Sequence, residues 1–384
     1  MSFPSEKNRR NVFLGLVCSL FFLLFVSFMT NSPGTIVHAI TMGKLPPTPT
    51  LRLQTPTPSP SPTPTPSPTA TPTPTPTPSG DPIELGAWYA ANGPGSPEED
   101  AAIILDGADF TVVRTRIIWT APTGQWAWAD SEINYHLAEG RKVVLEFWVQ
   151  FNGPHASGGD CSTGTLTDYT TLVAGIADRY GNDLYAIQPE NEVDRCNNPN
   201  DSADRLAIVY DAFHTAYPNV KVIAPGLAYD YFMASDAPVG YQPLGGPFHY
   251  STLPNMLARL NAKNCAPCTD VFAFHKFSGF NFWPTVAIKA SEIRSKLAVY
   301  GWNTLPLWLT EFGSPAGPYP RTEATQATEL LSMAESARDE GNIPVAVVYS
   351  ALNQSGQDLG VCRINSSGSV VPRLAVPTLG AMPR

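Results

Sequence analysis

The chain has 384 residues, a formal net charge of −9 at pH 7 and only 15% charged residues. Its length allows one large domain or two of medium size. An acidic surface is a poor partner for nucleic acids and for anionic substrates, whereas a neutral polymer is compatible with it.

The first 39 residues have the pattern of a targeting segment. Three basic residues precede an apolar run from Val12 to Met29, and Val37-His38-Ala39 is a small-residue motif of the kind that signal peptidases cleave. Residues 1–39 are therefore interpreted as a signal peptide or as a retained membrane anchor. Either alternative places the rest of the chain outside the cell, secreted or tethered to the cell surface.

Residues 40–82 are interpreted as a Pro/Thr-rich linker or stalk. Thr-Pro and Ser-Pro repeats fill positions 46–78, and such a tract cannot bury a core and favours an extended polyproline conformation. It would span on the order of 100 Å at ~3.1 Å per residue. Residues 83–384 then remain as one domain with ample core.

From Ile83 onward, short β-branched apolar runs alternate with amphipathic helical stretches. Strands are predicted at residues 83–88, 110–118, 142–149, 184–190, 219–224, 270–275, 305–311 and 344–350. Ser96 and Thr322 are predicted N-cap residues of helices, and Gly341 is placed to end the second of these. Eight strands that alternate with helices over about 300 residues predict a (β/α)8 TIM barrel. A doubly wound open sheet is the alternative, but no GxGxxG motif or phosphate-binding loop favours it.

The segment IQPENEV places charged residues at the end of the predicted fourth strand. In a barrel of this type, functional residues lie at the carboxyl ends of the strands. Glu311, in PLWLTEFGSP, ends the seventh strand, 119 residues after Glu192, so the two carboxylates are expected to face each other across the barrel mouth. Cleavage of a glycosidic bond needs such a pair: an acid that protonates the leaving oxygen and a nucleophile or base opposite it.

The Asn-Glu pair of strand four and the Thr-Glu-Phe-Gly segment of strand seven resemble the retaining glycoside hydrolases of clan A, such as families 5 and 39. The resemblance extends from Ile83 to about Gly356. It implies that Glu192 is the acid/base catalyst, that Asn191 binds the 2-hydroxyl of the sugar and that Glu311 is the nucleophile. The expected reaction is hydrolysis of a β-glycosidic bond by double displacement, with no cofactor and no metal ion.

Strands two and three supply further candidates. The segment VRTRIIW resembles the clan's arrangement of an arginine five residues before a tryptophan, which implies Arg114 as a charge partner of the nucleophile and Trp119 as a substrate-binding residue. Arg116 has the same strand parity as Arg114 and is an alternative. In strand three, Glu146 is interpreted as a structural hydrogen-bonding residue of the barrel interior, while Trp148, of the same parity, is expected to line the site.

Strands six and eight depart from the clan's pattern. The segment DVFAFHKFSG resembles the His-x-Tyr motif of strand six, which implies a substrate-binding role for His275, but Phe277 stands where the motif has tyrosine. The hydrogen bond that this tyrosine usually gives to the nucleophile is therefore in question. Tyr349, in strand eight, stands where the clan commonly has a sugar-stacking tryptophan. These departures indicate a divergent branch.

Three other features have weaker functional interpretations. Glu190 has the strand parity of Glu192 but is interpreted as a solvated or salt-bridged residue at the rim. His155 lies on a predicted active-face loop and is a candidate for substrate contact. The loop at about residues 226–250 is long for a compact domain and rich in aromatic residues, which either stack on sugars or pack against one another.

The chain has six cysteines, five of them outside the apolar N-terminal run. In an exported protein, disulfides are more common than metal sites, and the lone CxxC has no second pair at zinc spacing. Cys161 and Cys196 follow adjacent strands and are predicted to form a disulfide that braces the loop after strand four. Cys265 and Cys268 are predicted to form a second disulfide, which leaves Cys362 without a partner.

These patterns favour a secreted or surface-tethered retaining β-glycosidase, endo-acting on a β-linked plant or microbial polysaccharide. Its expected partner is a polysaccharide or oligosaccharide, with no nucleic acid, and we expect a monomer. An exo-acting glycosidase or a transglycosylase would use the same residues, with loops that block one end of the cleft. A non-catalytic carbohydrate-binding barrel is the alternative of a different class, and the presence of both Glu192 and Glu311 argues against it.

Overall fold

The computed structural model describes residues 82–90, 95–123, 126–154, 160–196, 198–228, 251–278, 285–317, 321–353 and 358–383. The targeting segment, the Pro/Thr-rich linker, His155 and residues 229–250 of the aromatic loop therefore lie outside the described residues. Within the described part, no helix combines the length and the apolar character needed to cross a membrane.

Eight parallel strands form the central sheet, close to the positions that the sequence predicts. They are β1 (Glu84–Tyr89), β2 (Val112–Trp119), β3 (Lys142–Val149), β4 (Ala186–Pro189), β5 (Lys221–Val222), β6 (Phe272–Phe277), β7 (Leu307–Gly313) and β8 (Val345–Val348). Neighbouring strands are paired in the order β5-β4-β3-β2-β1-β8-β7-β6. The two ends of this order are linked by backbone hydrogen bonds, from the Ala224 N–H to Val271 O at 2.8 Å and from the Leu227 N–H to Ala273 O at 3.4 Å. The predicted TIM-like barrel is confirmed.

The described helices follow the strands and pack against the sheet. They are α1 (Pro97–Asp106), α2 (Trp126–Ala138), α3 (Leu166–Tyr180), α4 (Pro199–Phe213), α5 (Thr252–Asn261), α6 (Val286–Ala298), α7 (Glu323–Asp339) and α8 (Ala375–Gly380). A 3-10 turn (Val193–Arg195) follows β4, and a hairpin of β9 (Cys362–Ile364) and β10 (Val370–Pro372) precedes α8. The predicted N-terminus of α7 is confirmed, because the Thr322 hydroxyl accepts a hydrogen bond from the Thr325 N–H at 3.1 Å.

Strand side chains alternate between the barrel interior and the layer next to the helices. On β2, Val113 and Trp119 belong to the large core between sheet and helices, whereas Val112 belongs to a smaller apolar cluster inside the barrel. Residues two apart share a face of the strand. Arg114 and Arg116 therefore lie inside the barrel, above this apolar cluster and toward the carboxyl ends of the strands.

Both predicted disulfides are present. Cys161 is bonded to Cys196 and Cys265 to Cys268, with Cα–Cα distances of 6.3 Å and 4.8 Å. Among the described cysteines, Cys362 is free, and it is buried. The first disulfide ties the loop after β3 to the turn after β4, beside the segment that carries the acid/base candidate.

Candidate active site

The backbone after β4 adopts an unusual turn. Glu190 and Glu192, on either side of Asn191, both have left-handed backbone conformations, with φ of 61° and 44°. For a residue other than glycine, such a conformation costs on the order of 1–3 kcal/mol and persists where the surrounding contacts over-determine it, most often at functional sites. The strain therefore lies at the segment in which the sequence predicts chemistry.

Glu190 is salt-bridged, which is one of the two predicted alternatives, but its predicted position at the rim is wrong because the side chain is fully buried. Its Oε1 accepts hydrogen bonds from the Ser162 N–H at 2.8 Å and from Arg205 Nη1 at 3.1 Å. A buried carboxylate is tolerated only when it is paired and hydrogen-bonded in this way. Glu190 thus connects the loop after β3 and helix α4 to the strained turn and helps to hold it.

Glu192 and Glu311 face each other at the barrel mouth. One oxygen of each carboxylate and one ring nitrogen of His275 all lie within 4.8 Å of one another. His275 Nδ1 lies 3.2 Å from Glu192 Oε1 and 3.6 Å from Glu311 Oε2, so the buried imidazole stands between the two carboxylates. Retaining glycosidases hold their two carboxyl groups about 5–5.5 Å apart, and inverting ones about 6.5–9.5 Å apart. An upper limit of 4.8 Å on one pair of carboxylate oxygens is in keeping with the shorter, retaining spacing.

Two arginines of β2 hold Glu311. Arg114 Nη1 donates to Glu311 Oε1 at 2.6 Å, and Arg116 Nη2 donates to the same oxygen at 3.4 Å. Both predicted charge partners therefore contact this carboxylate, Arg114 more closely. The two positive charges compensate the negative charge of this carboxylate. Phe277 has no hydroxyl group and cannot donate a hydrogen bond to Glu311, as a tyrosine at this position would. The hydrogen bonds to Glu311 come from Arg114 and Arg116 instead.

Arg114 and Arg116 belong to a wider buried network. Arg114 Nη2 donates to Asn191 Oδ1 at 3.0 Å, and Arg114 Nε donates to Gln188 Oε1 at 3.3 Å. Glu146 accepts a hydrogen bond from Arg116 Nε at 2.9 Å and lies 3.2 Å from Arg114 Nη1. These contacts match the structural role predicted for Glu146, whose charge compensates the arginines inside the barrel. Sequence reasoning missed Gln188, because nothing in its segment marks it as a partner of Arg114.

Glu192 is contacted at both of its carboxylate oxygens. Arg195 Nη1 donates to Oε2 at 2.9 Å, while His275 faces Oε1. Burial disfavours the carboxylate, but the hydrogen bond and charge of His275, followed by the charge of Arg195, outweigh burial and lower the pKa of Glu192 to about 2. In the absence of substrate, Glu192 is therefore ionised at neutral pH. Sequence reasoning missed Arg195, although it lies only three residues beyond Glu192.

A second group of buried charges lies behind the pair. Lys289 of α6 is fully buried and donates to the carbonyl oxygens of His275 and Ala228 at 2.6 Å and 3.2 Å. Asp194 Oδ1 accepts a hydrogen bond from the Ala228 N–H at 2.9 Å. Burial raises the pKa of Asp194 to about 7, against this hydrogen bond and with help from the charge of Glu192. These contacts fix the backbone at the ends of β5 and β6, from which His275 reaches the carboxylates.

Asn191 is held through both ends of its side-chain amide. Its Oδ1 accepts from Arg114, and its Nδ2 donates to Asp160 Oδ2 at 3.2 Å. Its backbone N–H donates to the Asp160 carbonyl, also at 3.2 Å. Sequence reasoning missed Asp160, and the only clue in the sequence is its position next to Cys161, whose disulfide indicates that this loop lies near the site.

Aromatic rings surround Arg116. Its guanidinium lies over the rings of Trp88 and Trp148, 5.1 Å and 4.8 Å from their centroids. Tyr349 packs against Trp88 with ring centroids 4.9 Å apart and meets Phe277 edge-on at 5.7 Å. Trp148 and Tyr349 therefore lie where the sequence predicts them, beside the charged residues, and their contact with a substrate stays a prediction. Trp88, at the end of β1, was missed because its short segment does not distinguish it from a core residue.

The assignment of Trp119 as a substrate-binding residue is wrong. Trp119 is fully buried between sheet and helices, with its ring centroid 5.8 Å from that of Trp126 and 6.0 Å from that of Phe147. Side chains along a strand alternate between its two faces. The pairing of β2 with β3 is regular from Val112 to Trp119, so a residue five positions after Arg114 points to the opposite face.

Glu192, His275 and Glu311 offer three ligand atoms within 4.8 Å of one another, which is also a geometry that a metal ion can use. A cation at this position would compete with Arg114 for Glu311 and with Arg195 for Glu192. Because these arginines already compensate the two carboxylates, the arrangement favours acid/base and nucleophilic chemistry by the glutamates themselves.

Solved structures similar to this chain include several glycoside hydrolases. A family 39 glycoside hydrolase from Bacteroides cellulosilyticus WH2 is 15% identical with a TM-score of 0.53, over 78% of this chain and 63% of that one. The beta-glycosidase BGL167 is 12% identical with a TM-score of 0.55, over 79% of this chain and 96% of that one. This chain has their fold. A family 30 subfamily 8 xylanase from Clostridium acetobutylicum is 16% identical with a TM-score of 0.51, over 78% of this chain and 71% of that one.

The predicted resemblance to clan A barrels is thus confirmed at the level of the fold. This chain spans less than two thirds of the length of the family 39 hydrolase. Neither a protein-family model nor a curated protein matches the sequence.

Proposed function

We propose that this protein is a retaining β-glycoside hydrolase that cleaves within a β-linked polysaccharide. The observation that carries the proposal is the pair of Glu192 and Glu311, with one oxygen of each within 4.8 Å of the other, at the carboxyl ends of β4 and β7. The fold shared with glycoside hydrolases supports it. The two disulfides are in keeping with an exported enzyme, secreted or tethered to the cell surface.

In the first step, Glu311 is the nucleophile and Glu192 the acid. Arg114 and Arg116 donate to Glu311 Oε1, and the other oxygen of this carboxylate, Oε2, attacks the anomeric carbon. A bond forms between Oε2 and this carbon as the glycosidic C–O bond breaks, and Glu192 gives its proton to the departing oxygen. Asn191 donates a hydrogen bond to the 2-hydroxyl of the sugar being cleaved.

In the second step, Glu192 is the base. It takes a proton from a water molecule whose oxygen attacks the anomeric carbon, the bond to Glu311 breaks, and the sugar leaves with its original configuration. The contacts of Arg195 and His275 with Glu192 suit this ionised form. In the first step Glu192 must carry a proton, and the contacts with Arg195 and His275 oppose its protonation. Bound substrate therefore has to weaken the contact between Glu192 and Arg195.

Two variants separate the roles of the glutamates. Glu311→Ala removes the nucleophile and should be nearly inert on any glycoside. Glu192→Ala should still release an activated phenol from an aryl β-glycoside, and azide should accelerate this turnover and give the β-glycosyl azide. An α azide from Glu192→Ala together with a β azide from Glu311→Ala would show that the two roles are exchanged. Full activity of both variants on polysaccharide would disprove the proposed site.

Product analysis tests the endo-acting mode. The wild-type protein is incubated with glucans, mannans, xylans and galactans, and reducing ends and product lengths are followed with time. Mixed oligosaccharides and a rapid loss of viscosity are expected on one of these polymers. A single short product would indicate an exo-acting enzyme, and products longer than the substrate would indicate a transglycosylase. Binding to a polymer without new reducing ends would indicate a non-catalytic carbohydrate-binding protein.

A further inference from the structure

A third carboxylate lies at the mouth of the site. Asp160, in the loop after β3, keeps 25% of its side chain exposed. Its Oδ2 accepts a hydrogen bond from Asn191 Nδ2 at 3.2 Å and lies 3.8 Å from Arg116 Nη2. The two steps of the proposed reaction require no chemistry from this carboxylate, so its placement next to Asn191 needs another reason.

The backbone around Asp160 is held rigidly. Its carbonyl oxygen accepts the Asn191 N–H at 3.2 Å. The next residue, Cys161, is bonded to Cys196, and the N–H of Ser162 donates to the side chain of the residue before Asn191 at 2.8 Å. Three consecutive residues thus tie the loop to the turn after β4. The position of the Asp160 carboxylate relative to Asn191 is therefore built into the fold.

The charged groups on either side of Asn191 determine the orientation of its side-chain amide. An amide side chain has one acceptor oxygen and two N–H donors on its nitrogen, whereas a guanidinium only donates and a carboxylate only accepts. Arg114 occupies the oxygen at 3.0 Å, and Asp160 accepts one of the two N–H groups. A flipped amide would set nitrogen against guanidinium and oxygen against carboxylate, and both contacts would become repulsive. One N–H then remains for a ligand.

We propose that Asp160 is a positioning residue that fixes the Asn191 amide so that its remaining N–H donates to the 2-hydroxyl of the sugar. The proposal rests on the function proposed above. Hydrogen bonds to the 2-hydroxyl of a glycoside strengthen in the transition state. An amide that is free to rotate forms this bond less often, so loss of Asp160 lowers kcat/KM for substrates that carry the hydroxyl.

The test compares activated aryl glycosides with and without the 2-hydroxyl. Asp160→Ala should lower kcat/KM about 10- to 100-fold on the hydroxylated substrate, the order of effect expected when a positioning group is displaced by a fraction of an ångström to an ångström. It should leave kcat/KM on the 2-deoxy substrate nearly unchanged. Asp160→Asn keeps an acceptor oxygen and should recover most of the loss. In an Asn191→Ala background, Asp160→Ala should cost no further activity. Asp183→Ala, at an exposed aspartate before β4, is the matched control and should change neither substrate.

Two kinetic outcomes would overturn the proposal. Equal losses on both substrates, together with a lower Tm, would mean that Asp160 only braces the loop. A loss that persists on the 2-deoxy substrate but disappears on a 3-deoxy substrate would mean that Asp160 binds the sugar directly.

A crystal structure of Asp160→Ala tests the orientation without any turnover. The Asn191 amide should rotate or occupy two positions, and an amide unchanged from the wild-type orientation overturns the proposal. If the wild-type protein cleaves no aryl glycoside while the amide moves as expected, the proposed function fails and the orienting role of Asp160 stands.

Discussion

Replacing Arg195 by glutamine should move the basic limb of the kcat/KM profile to higher pH. Arg195 Nη1 lies 2.9 Å from Glu192 Oε2, and the pKa of Glu192 is lowered to about 2. Removal of the positive charge destabilises the carboxylate relative to the neutral acid, so this pKa rises. A nearby opposite charge changes a pKa by about 1–3 units. Because 36% of the Arg195 side chain is exposed, solvent screening places the expected rise near the lower end, at about one unit.

The sign of the effect on activity follows from the role that we propose for Glu192 in the first step. The pH dependence of kcat/KM reports ionisation of the free enzyme, and the departing oxygen needs the proton of Glu192. Above the pKa, the protonated fraction falls tenfold for each pH unit, so a rise of about one unit increases this fraction about tenfold. The assay is kcat/KM against pH for a β-glycoside with a poor leaving group. For an aryl β-glycoside whose activated phenol leaves without a proton, the basic limb of the profile should not move.

Arg259→Gln is the matched control for this experiment. Arg259 is 45% exposed and forms an ion pair of 2.9 Å with Asp204, but in the helix layer. Its replacement should leave the profile unchanged. If the limb of Arg195→Gln stays in place or moves to lower pH, Arg195 does not control the charge of Glu192, and the argument from the ion pair is refuted.

Three further predictions concern residues that support the site. Asp194 has a pKa of about 7 against an ordinary value of 3.8, so between these pH values the folded protein holds a proton that the unfolded chain has lost. The free energy of unfolding should therefore fall as pH rises from about 4 to 7. In urea denaturation, Asp194→Asn should flatten this dependence on pH, and an unchanged dependence would contradict the assignment. Replacing Cys161 and Cys196 by serine should lower the free energy of unfolding by about 2–4 kcal/mol, which an unchanged Tm would disprove. In Gly226→Ala, the new Cβ would lie 2.5 Å from His275 Nε2, so the ring has to shift. We expect kcat to fall on the order of 100-fold and the free energy of unfolding to fall by about 1–3 kcal/mol from overpacking; a wild-type kcat would show that the imidazole position is unimportant.

The amino-acid sequence by itself determines the barrel and the meeting of its two candidate catalytic glutamates. Periodicity and capping are local properties, so the strand and helix positions follow from short segments. In a (β/α)8 barrel all strands end at the same face, so Glu192 and Glu311 meet although 119 residues separate them. The pairing of Cys161 with Cys196 follows from the same rule. Strand alternation also predicts that Trp119 points away from Arg114. Its assignment as a substrate-binding residue came from the resemblance of a short motif, and that assignment was wrong.

Only the tertiary structure decides how the loops complete the site. Arg195 contacts Glu192 in a turn where the backbone of Glu192 is left-handed, with φ of 44°, and no side-chain propensity predicts this conformation for glutamate. Asp160 reaches Asn191 because a disulfide and backbone hydrogen bonds place its loop there. The burial of Glu190 likewise depends on an arginine from a later helix. The contacts of Asp160 and Glu190 join elements whose relative positions are set by the packing of the whole barrel, and a local sequence pattern carries no information about that packing.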